Sequence, residues 1–253
     1  MPPNQPTKSA FTTTNLDDVT LGLMAKYWTP GRVKTRLATA IGSEAAAELH
    51  KLFVENLTQT LSNTVTRRVA VVSPADAEVR FAACINSNWS TTIQSDGDLG
   101  NRIQSWFRDT LSQESTDAAI LIGADCPILD NKIIQTAVAR LVRHGLVLGP
   151  AIDGGYYLIG LRSPWMKALE HLFTDVPWST DQVFKETLLR AASIGLSVAT
   201  LDRQEDVDTI AELQRLRKSI QNSMSSNLTH RTLSMQIDAI MTKHASNPET
   251  STE

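Results

Sequence analysis

The feature that most constrains the fold is an alternation of short apolar or β-branched runs with amphipathic helical patterns. The runs predict strands at residues 21–25, 68–72, 118–122, 146–148, 156–161 and 196–201. Apolar stripes, Leu49 with Phe53 and Ile103 with Phe107, mark two of the helices between them. Strands that alternate with helices predict an α/β protein with a mostly parallel central sheet and helices on both faces.

One pair of strands breaks the parallel pattern. Only residues 151–155 separate the run that ends near Pro150 from the run at 156–161. A parallel crossover needs a dozen or more residues, so at least one strand is expected to be antiparallel. Two capping boxes predict later helix starts, Ser179 with Gln182 and Thr209 with Glu212.

Composition divides the chain into three parts. Residues 1–18 are polar and predict a disordered lead, residues 19–221 predict a single domain, and residues 222–253 predict a mostly disordered tail with a short helix between 229 and 244. The chain has 24 Lys and Arg against 27 Asp and Glu, so no overall positive field favours nucleic acid or an anionic membrane as a partner. Since the sequence has no signal or membrane-length segment, we expect a cytoplasmic protein with reduced, mostly buried cysteines.

A basic loop follows the first strand. Pro30 and Gly31 predict a turn, and Arg32, Lys34 and Arg36 add cations that could bind the phosphates of a nucleotide. The loop lacks the glycine spacing of both a Walker loop and a dinucleotide-binding fingerprint. The alternative is an ordinary solvated basic turn.

Two carboxylates suggest a metal site. Ligands of open α/β sheets bind beyond the carboxyl ends of the strands, and Asp125 and Asp208 both follow predicted strands. Two carboxylates together with substrate phosphates form a common Mg²⁺ or Mn²⁺ site. Alternatively, Asp125 begins a turn before Pro127, and Asp208 only precedes the Thr209 cap.

Three further loops contribute candidates for substrate binding and catalysis. Asp153 is the candidate general base, with Asp181 next in line, and its alternative role is a hairpin turn. The candidates for the acceptor pocket are Gly154, Gly155, Tyr156, Tyr157 and Trp178. Asp98 and Arg102, at the start of a helix, are candidates for the donor side, although Asp98 could simply begin that helix. The histidines lie outside these motifs, which disfavours a Ser-His-Asp or Cys-His hydrolase.

These motifs, in this order, resemble the arsenosugar-biosynthesis glycosyltransferase-like proteins. That family belongs to the nucleotide-diphospho-sugar transferase superfamily, which has a Rossmann-like GT-A fold. The resemblance rests on residues 30–37 (PGRVKTRL), 97–100 (GDLG), 123–127 (GADCP), 149–151 (GPA), 153–160 (DGGYYLIG), 177–181 (PWSTD) and 206–209 (DVDT). It implies glycosyl transfer from a nucleotide-sugar donor to a small-molecule acceptor, with a divalent metal at Asp125. Tyr27 and Trp28 depart from the small or proline residues usual in the family's loop.

Two other functions remain open. The same basic loop and metal would suit a nucleotidyltransferase that moves a nucleoside monophosphate from a nucleoside triphosphate to a small phosphorylated acceptor, because both reactions neutralise a departing phosphate group. A non-catalytic nucleotide-binding protein is the third. The expected partners are therefore a nucleotide sugar or a nucleoside triphosphate and a small acceptor, without nucleic acid or membrane.

Overall fold

The computed structural model describes residues 15–223 and 228–245, and within them it shows one mixed sheet with helices on both faces. The strands are β1 (Val19–Lys26), β2 (Arg67–Ser73), β3 (Ser90–Ile93), β4 (Ala118–Gly123), β5 (Leu146–Pro150), β6 (Tyr156–Arg162) and β7 (Val198–Thr200). The helices are α1 (Thr35–Ile41), α2 (Ser43–Thr60), α3 (Glu78–Ala82), α4 (Leu99–Leu111), α5 (Asn131–Leu141), α6 (Val183–Ser193), α7 (Ile210–Ser223) and α8 (Leu228–Ala245).

The strand order is β3-β2-β1-β4-β6-β5-β7. Strand β1 pairs in parallel with β2 and β4, β2 with β3, and β5 with β7. Strand β6 runs antiparallel to both of its neighbours, β4 and β5. This confirms the predicted mostly parallel sheet with an antiparallel strand.

The strand predictions missed β3. Its four residues read Ser-Thr-Thr-Ile, lie at the edge of the sheet and are mostly exposed, so they carry no apolar run or alternation. Strand β7 is shorter than the predicted run and covers only Val198–Thr200.

Two apolar layers cover the sheet. On one face, Leu21 and Ile120 pack with Val54 of α2 and Ile134 of α5. On the other face, Leu121 and Ile159 pack with residues of α4, α6 and the 3-10 segment Lys167–Leu172. Strands buried on both sides explain why their sequences read as continuous apolar runs.

A third cluster joins the C-terminal helices to the N-terminal ones. Leu233 and Ile237 of α8 are completely buried in a cluster with Phe53 of α2 and Leu216 of α7. Helix α8 has 18 residues and contains the range 229–244 in which the sequence predicted a short helix. The predicted lead at 1–18 falls mostly outside the described residues, as do positions 224–227 and 246–253. Across the described ranges, none of the helices combines the length and apolarity that a membrane crossing needs.

Candidate functional site

A cleft with a volume of about 810 Å³ lies at the carboxyl edge of the sheet. It lies beyond the carboxyl ends of β1 and β4, two neighbouring parallel strands at the centre of the sheet. Since β6 is antiparallel, the β5–β6 hairpin turns at this same edge. The fold thereby brings the hairpin carboxylate Asp153 to the loops that follow β1 and β4.

Most of the residues predicted for a site do line this cleft. They are Arg32, Lys34, Arg36, Asp98, Arg102, Asp125, Asp153, Gly155, Tyr156, Tyr157, Trp178, Asp181 and Asp208. Three others, Pro30, Gly31 and Gly154, are not part of the lining. Gly154 has a φ of 93°, and a Cβ there would lie 2.3 Å from the carbonyl oxygen of Asp181, so this glycine lets the hairpin pack on the neighbouring loop.

Lys34 differs from the exposed phosphate-binding cation that the sequence suggested. Its side chain is only 2% exposed, and its ammonium group pairs with both Asp125 and Asp208. It also donates to the carbonyl oxygen of Val207 at 2.7 Å. Arg32 and Arg36, by contrast, are exposed at the mouth of the cleft. Lys34 is therefore a buried counter-ion in this structure, while the two arginines remain available to a ligand.

Asp125 and Asp208 converge because a backbone hydrogen bond joins their loops. The amide of Val207 donates to the carbonyl oxygen of Asp125 at 2.9 Å, which ties the segment after β7 to the end of β4. Desolvation by the surrounding loops opposes the charge on Asp125, but the Lys34 ammonium outweighs it and holds the pKa of Asp125 below its usual value. For Asp208, desolvation dominates and raises the pKa.

These two carboxylates could supply only part of the coordination shell of a hard divalent cation. Their oxygens already converge on one positive group, Lys34 Nζ. Among the described residues, no three His, Cys, Asp or Glu side chains are arranged to hold a metal ion. Such a site needs further ligands, and substrate phosphates and water normally supply them to Mg²⁺. The oxygen-only donor set is compatible with Mg²⁺ or Mn²⁺.

Asp206 is a cleft residue to which sequence reasoning assigned no role. The Cys126 thiol donates to its carboxylate, with Sγ 2.7 Å from Oδ1. Burial, with the negative charges of Asp125 and Asp153, raises the pKa of Asp206 to about 6 although the thiol hydrogen bond favours the charged form. The spacing of Asp206 and Asp208 could have indicated that Asp206 faces the cleft, because alternate residues of an extended chain project to the same side.

His50 is the second cleft residue that sequence reasoning missed. Helix α2 places it in the cleft wall, with Nε2 at 3.0 Å from the carbonyl oxygen of Lys26. Its Nδ1 is buried and has no hydrogen-bond partner in the described part of the chain. Burial lowers the pKa of His50, so the ring is neutral at pH 7 and Nε2 carries the donated proton. No sequence pattern could have placed this helical residue beside the loops that follow β1 and β4.

The hairpin side of the cleft combines carboxylates with aromatic rings. Asp153 is exposed and accepts a hydrogen bond from the Gly155 amide at 2.9 Å, the local turn that its alternative interpretation predicted. Tyr156 packs edge-on against Trp178, with ring centroids 6.3 Å apart. Tyr157 is mainly a core residue, since it is 4% exposed and donates its hydroxyl to a backbone carbonyl.

The start of α4 forms another part of the cleft wall. The carboxylate of Asp98 accepts from the Asn101 amide at 2.8 Å and so caps the helix, the alternative role for this residue. Arg102 donates from Nη1 to Gln94 Oε1 at 3.2 Å and from Nε to the Gly97 carbonyl. Its guanidinium is thus held at the cleft with donors to spare.

Gln94 in turn is fixed across two strands of the sheet. Its side-chain amide donates to the carbonyl oxygens of Ala25 at 3.1 Å and Val71 at 2.9 Å. This bridge between the ends of β1 and β2 orients the oxygen that receives Arg102.

Other local predictions gave mixed results. The Ser179 capping box is wrong, because Ser179 has a φ of 65° in a turn and α6 begins only at Val183. The Thr209 box is confirmed, since Glu212 accepts from the Thr209 amide at 2.7 Å and donates its own amide to the Thr209 hydroxyl. Tyr27, which departs from the residues usual in the family's loop, stacks on Trp28 outside the residues that line the cleft.

Comparison with known proteins supports a transferase fold. The family described as "Uncharacterized protein conserved in bacteria (DUF2064)" matches residues 56–180. A candidate nucleotide-diphospho-sugar transferase from Desulfovibrio desulfuricans G20 is 29% identical, with a TM-score of 0.79 over 89% of this chain and 97% of that one. A search of the curated proteins finds no match.

More distant solved structures share the fold. The 4-diphosphocytidyl-2C-methyl-D-erythritol synthase of Anaerococcus prevotii DSM 20548 is 8% identical, with a TM-score of 0.53 over 81% of this chain and 96% of that one. The inositol-1-phosphate CTP transferase of T. maritima is 16% identical, with a TM-score of 0.51 over 87% of this chain and 96% of that one. The chain therefore has the fold of nucleotide-diphospho-sugar transferases and cytidylyltransferases.

Proposed function

We propose that this protein is a divalent-metal-dependent glycosyltransferase that moves a sugar from a nucleotide-sugar donor to a small-molecule acceptor. The observation that carries the proposal is the arrangement of the cleft. Two convergent carboxylates, Asp125 and Asp208, and the exposed Arg32 and Arg36 stand on the side of β1 and β4, and Asp153 stands on the hairpin side. The 29% identity to a candidate nucleotide-diphospho-sugar transferase supports the same class of donor.

The donor diphosphate is assigned to the β1 side of the cleft. Arg32, Arg36 and the anchored Arg102 can donate charge-assisted hydrogen bonds to phosphate oxygens. Asp125 and Asp208 would hold the metal, which neutralises the charge that develops on the leaving nucleoside diphosphate. Arginine suits this task because its planar group binds two phosphate oxygens at once.

The acceptor is assigned to the hairpin side. Tyr156 and Trp178 form an aromatic corner that can pack against an apolar face of a small molecule. Asp153 lies in the cleft close enough to Asp206 for their charges to interact, and it would accept the proton of the acceptor hydroxyl. A general base of this kind contributes about 10²- to 10⁴-fold in rate. Asp181, exposed at the same wall, is the alternative base.

A product assay tests the reaction. The full-length protein is incubated with sugar nucleotides or with nucleoside triphosphates, each with Mg²⁺ or Mn²⁺ and a panel of small hydroxylated or phosphorylated acceptors. Release of nucleoside diphosphate that depends on sugar nucleotide and acceptor supports glycosyl transfer. Absence of turnover across both panels would contradict a transferase.

Matched variants assign the two sides. Asp125→Asn should abolish metal-dependent turnover, and Asp153→Asn should lower turnover while donor binding is retained. Glu114 is exposed and lies outside the cleft lining, so Glu114→Gln is the control. It also removes one negative charge and should change neither turnover nor donor binding. If Asp153→Asn keeps near-normal turnover, Asp181 becomes the candidate base.

Nucleotidyl transfer is the second candidate. A specific observation favours it: the cation-rich loop directly after β1 presents Arg32 and Arg36 to the cleft, which suits a triphosphate as well as a diphosphate. In the same assay this reaction releases pyrophosphate from a nucleoside triphosphate instead of nucleoside diphosphate from a sugar nucleotide.

A further inference from the structure

We infer that Lys34 is the resident cation of the Asp125–Asp208 pair, and that a divalent metal ion using both carboxylates must displace its ammonium group. This inference deepens the proposed metal site and rests on it. It assigns Lys34 as a positioning residue whose place in the cleft depends on whether the metal is bound. The sequence alone had suggested Lys34 as one of three loop cations that could bind the phosphates of a nucleotide.

The hydrogen-bond count of the ammonium group is the first support. Lys34 Nζ has three hydrogens, and it has three acceptors: Asp125 Oδ1, Asp208 Oδ1 at 3.3 Å and the Val207 carbonyl at 2.7 Å. The side chain is 2% exposed. In this arrangement no hydrogen of Lys34 is left to donate to a phosphate.

The backbone directs the side chain inward. Lys34 has φ 48° and ψ 42°, a left-handed conformation that is uncommon for residues other than glycine, and it stands directly before α1. Its neighbour Val33 is 5% exposed, so the residue that precedes Lys34 is also buried in the fold. The ammonium lies over the ring of Phe53, 5.7 Å from the centroid, which completes its enclosure.

Electrostatics make the two cations mutually exclusive between these carboxylates. A divalent ion within about 4 Å of an ammonium is repelled by more than one hydrogen bond can offset. Asp125 and Asp208 meet at Lys34 Nζ, so an ion that binds both occupies the space of that nitrogen. The metal ion is therefore excluded from the space between the two carboxylates unless the Lys34 ammonium group moves out of it.

Displacement would give Lys34 a second task. The lysine stem is flexible, and the released ammonium faces a cleft whose mouth carries Arg32 and Arg36. Metal binding would then deliver one more cation to the donor phosphates, which couples the order of metal and nucleotide binding.

Residue-resolved amine labelling of the full-length protein tests this without any substrate. An amine-reactive reagent is applied in EDTA or in Mn²⁺, and the modification rate of each lysine is measured by mass spectrometry. Lys26 is the internal reference, because it is exposed and lines the same cleft. We expect Lys34 to react at least about tenfold more slowly than Lys26 in EDTA because it is enclosed, and to gain most of that difference in Mn²⁺ while Lys26 is unchanged.

A pair of charge-removing variants provides a second readout. Lys34→Met should tighten Mn²⁺ binding by about tenfold or more in calorimetry, because the competing cation is gone. Lys26→Met removes the same charge from the cleft mouth and should leave the affinity within a few-fold of the original. Asp208→Asn should abolish the effect of Mn²⁺ on Lys34 labelling.

Three results would overturn the inference. These are Lys34 labelling as fast as Lys26 in EDTA, Mn²⁺ binding that leaves Lys34 protected, or no tightening in Lys34→Met, including the case in which neither protein binds Mn²⁺. None of these readouts uses donor, acceptor or turnover. A failure of the proposed transferase activity is therefore observed separately, in the product assay.

Discussion

Replacement of Asp206 by Asn should stabilise the protein at neutral pH. The Asp206 carboxyl is partly buried, accepts a hydrogen bond from Cys126, and lies near the charges of Asp125 and Asp153. Its pKa is raised from 3.8 to about 6. Folding thus favours the protonated form of this group, and the ionised form is disfavoured in the folded state.

The difference of about two pKa units corresponds to about 3 kcal/mol. Below pH 3.8 both the folded and the unfolded chain hold this proton, so the group contributes no pH dependence. As the pH rises from about 4 to about 6, the unfolded chain releases the proton first and the folded state loses relative stability. Above pH 6 the loss is complete. We expect the folded state to lose about 1 to 3 kcal/mol of stability in this way, since solvent at the open cleft screens part of the electrostatic cost of ionised Asp206.

Urea unfolding in EDTA, at pH 4.5 and at pH 7.5, measures this effect. At each pH, the free energy of unfolding of the original protein is subtracted from that of Asp206→Asn. This difference should be about 1 to 3 kcal/mol larger at pH 7.5 than at pH 4.5. Changes in packing and hydrogen bonding at Asn contribute equally at both pH values, so they cancel in the comparison. A stability difference that does not change with pH would refute the reasoning, and one of opposite sign would show that a cation stabilises ionised Asp206.

Three other substitutions test ligand binding at Arg32, close packing at Gly100 and the contribution of α8 at Leu233. Arg32→Ala should weaken donor binding in calorimetry with an almost unchanged melting temperature, because an exposed cation contributes about 0 to 1 kcal/mol to folding; a large stability loss with normal binding would show a structural role. Gly100→Ala should destabilise and disturb the cleft, because a Cβ there lies 2.5 Å from the Trp178 indole nitrogen. Gly123→Ala, whose Cβ meets nothing within 4 Å, is the control and should keep the original unfolding midpoint. Leu233→Ala should cost about 2 to 5 kcal/mol in urea unfolding if α8 is part of the cooperative fold, and a neutral result would show that it is not.

The sequence was sufficient to predict the layered architecture and the loops that line the cleft. Apolar runs such as Ala118 to Ile122 mark strands buried on two faces, and the short connection before Tyr156 requires a reversal of direction. Once the sheet is assigned, the rule that ligands bind at carboxyl strand ends selects the loops with Asp125 and Asp208. These inferences need only local pattern and chain length.

Residues that depend on contacts distant in sequence could not be found in this way. His50 reaches the cleft because α2 packs beside the end of β1, and β3 is a strand only because β2 offers it an edge. Helix α8 carries no strong sequence signal for order, yet Leu233 is fully buried by helices far away in the chain.

The role of Lys34 shows the same division most clearly. The sequence determined that a lysine follows a Pro-Gly turn after the first strand, and a cation in such a loop suggests phosphate binding. Only the tertiary structure decided its partner, because Asp125 and Asp208 lie 91 and 174 residues further along the chain and meet Lys34 through the pairing of strands. Charge depends on residue type and can be read from sequence, but the group that neutralises it depends on distances that exist only after the chain has folded.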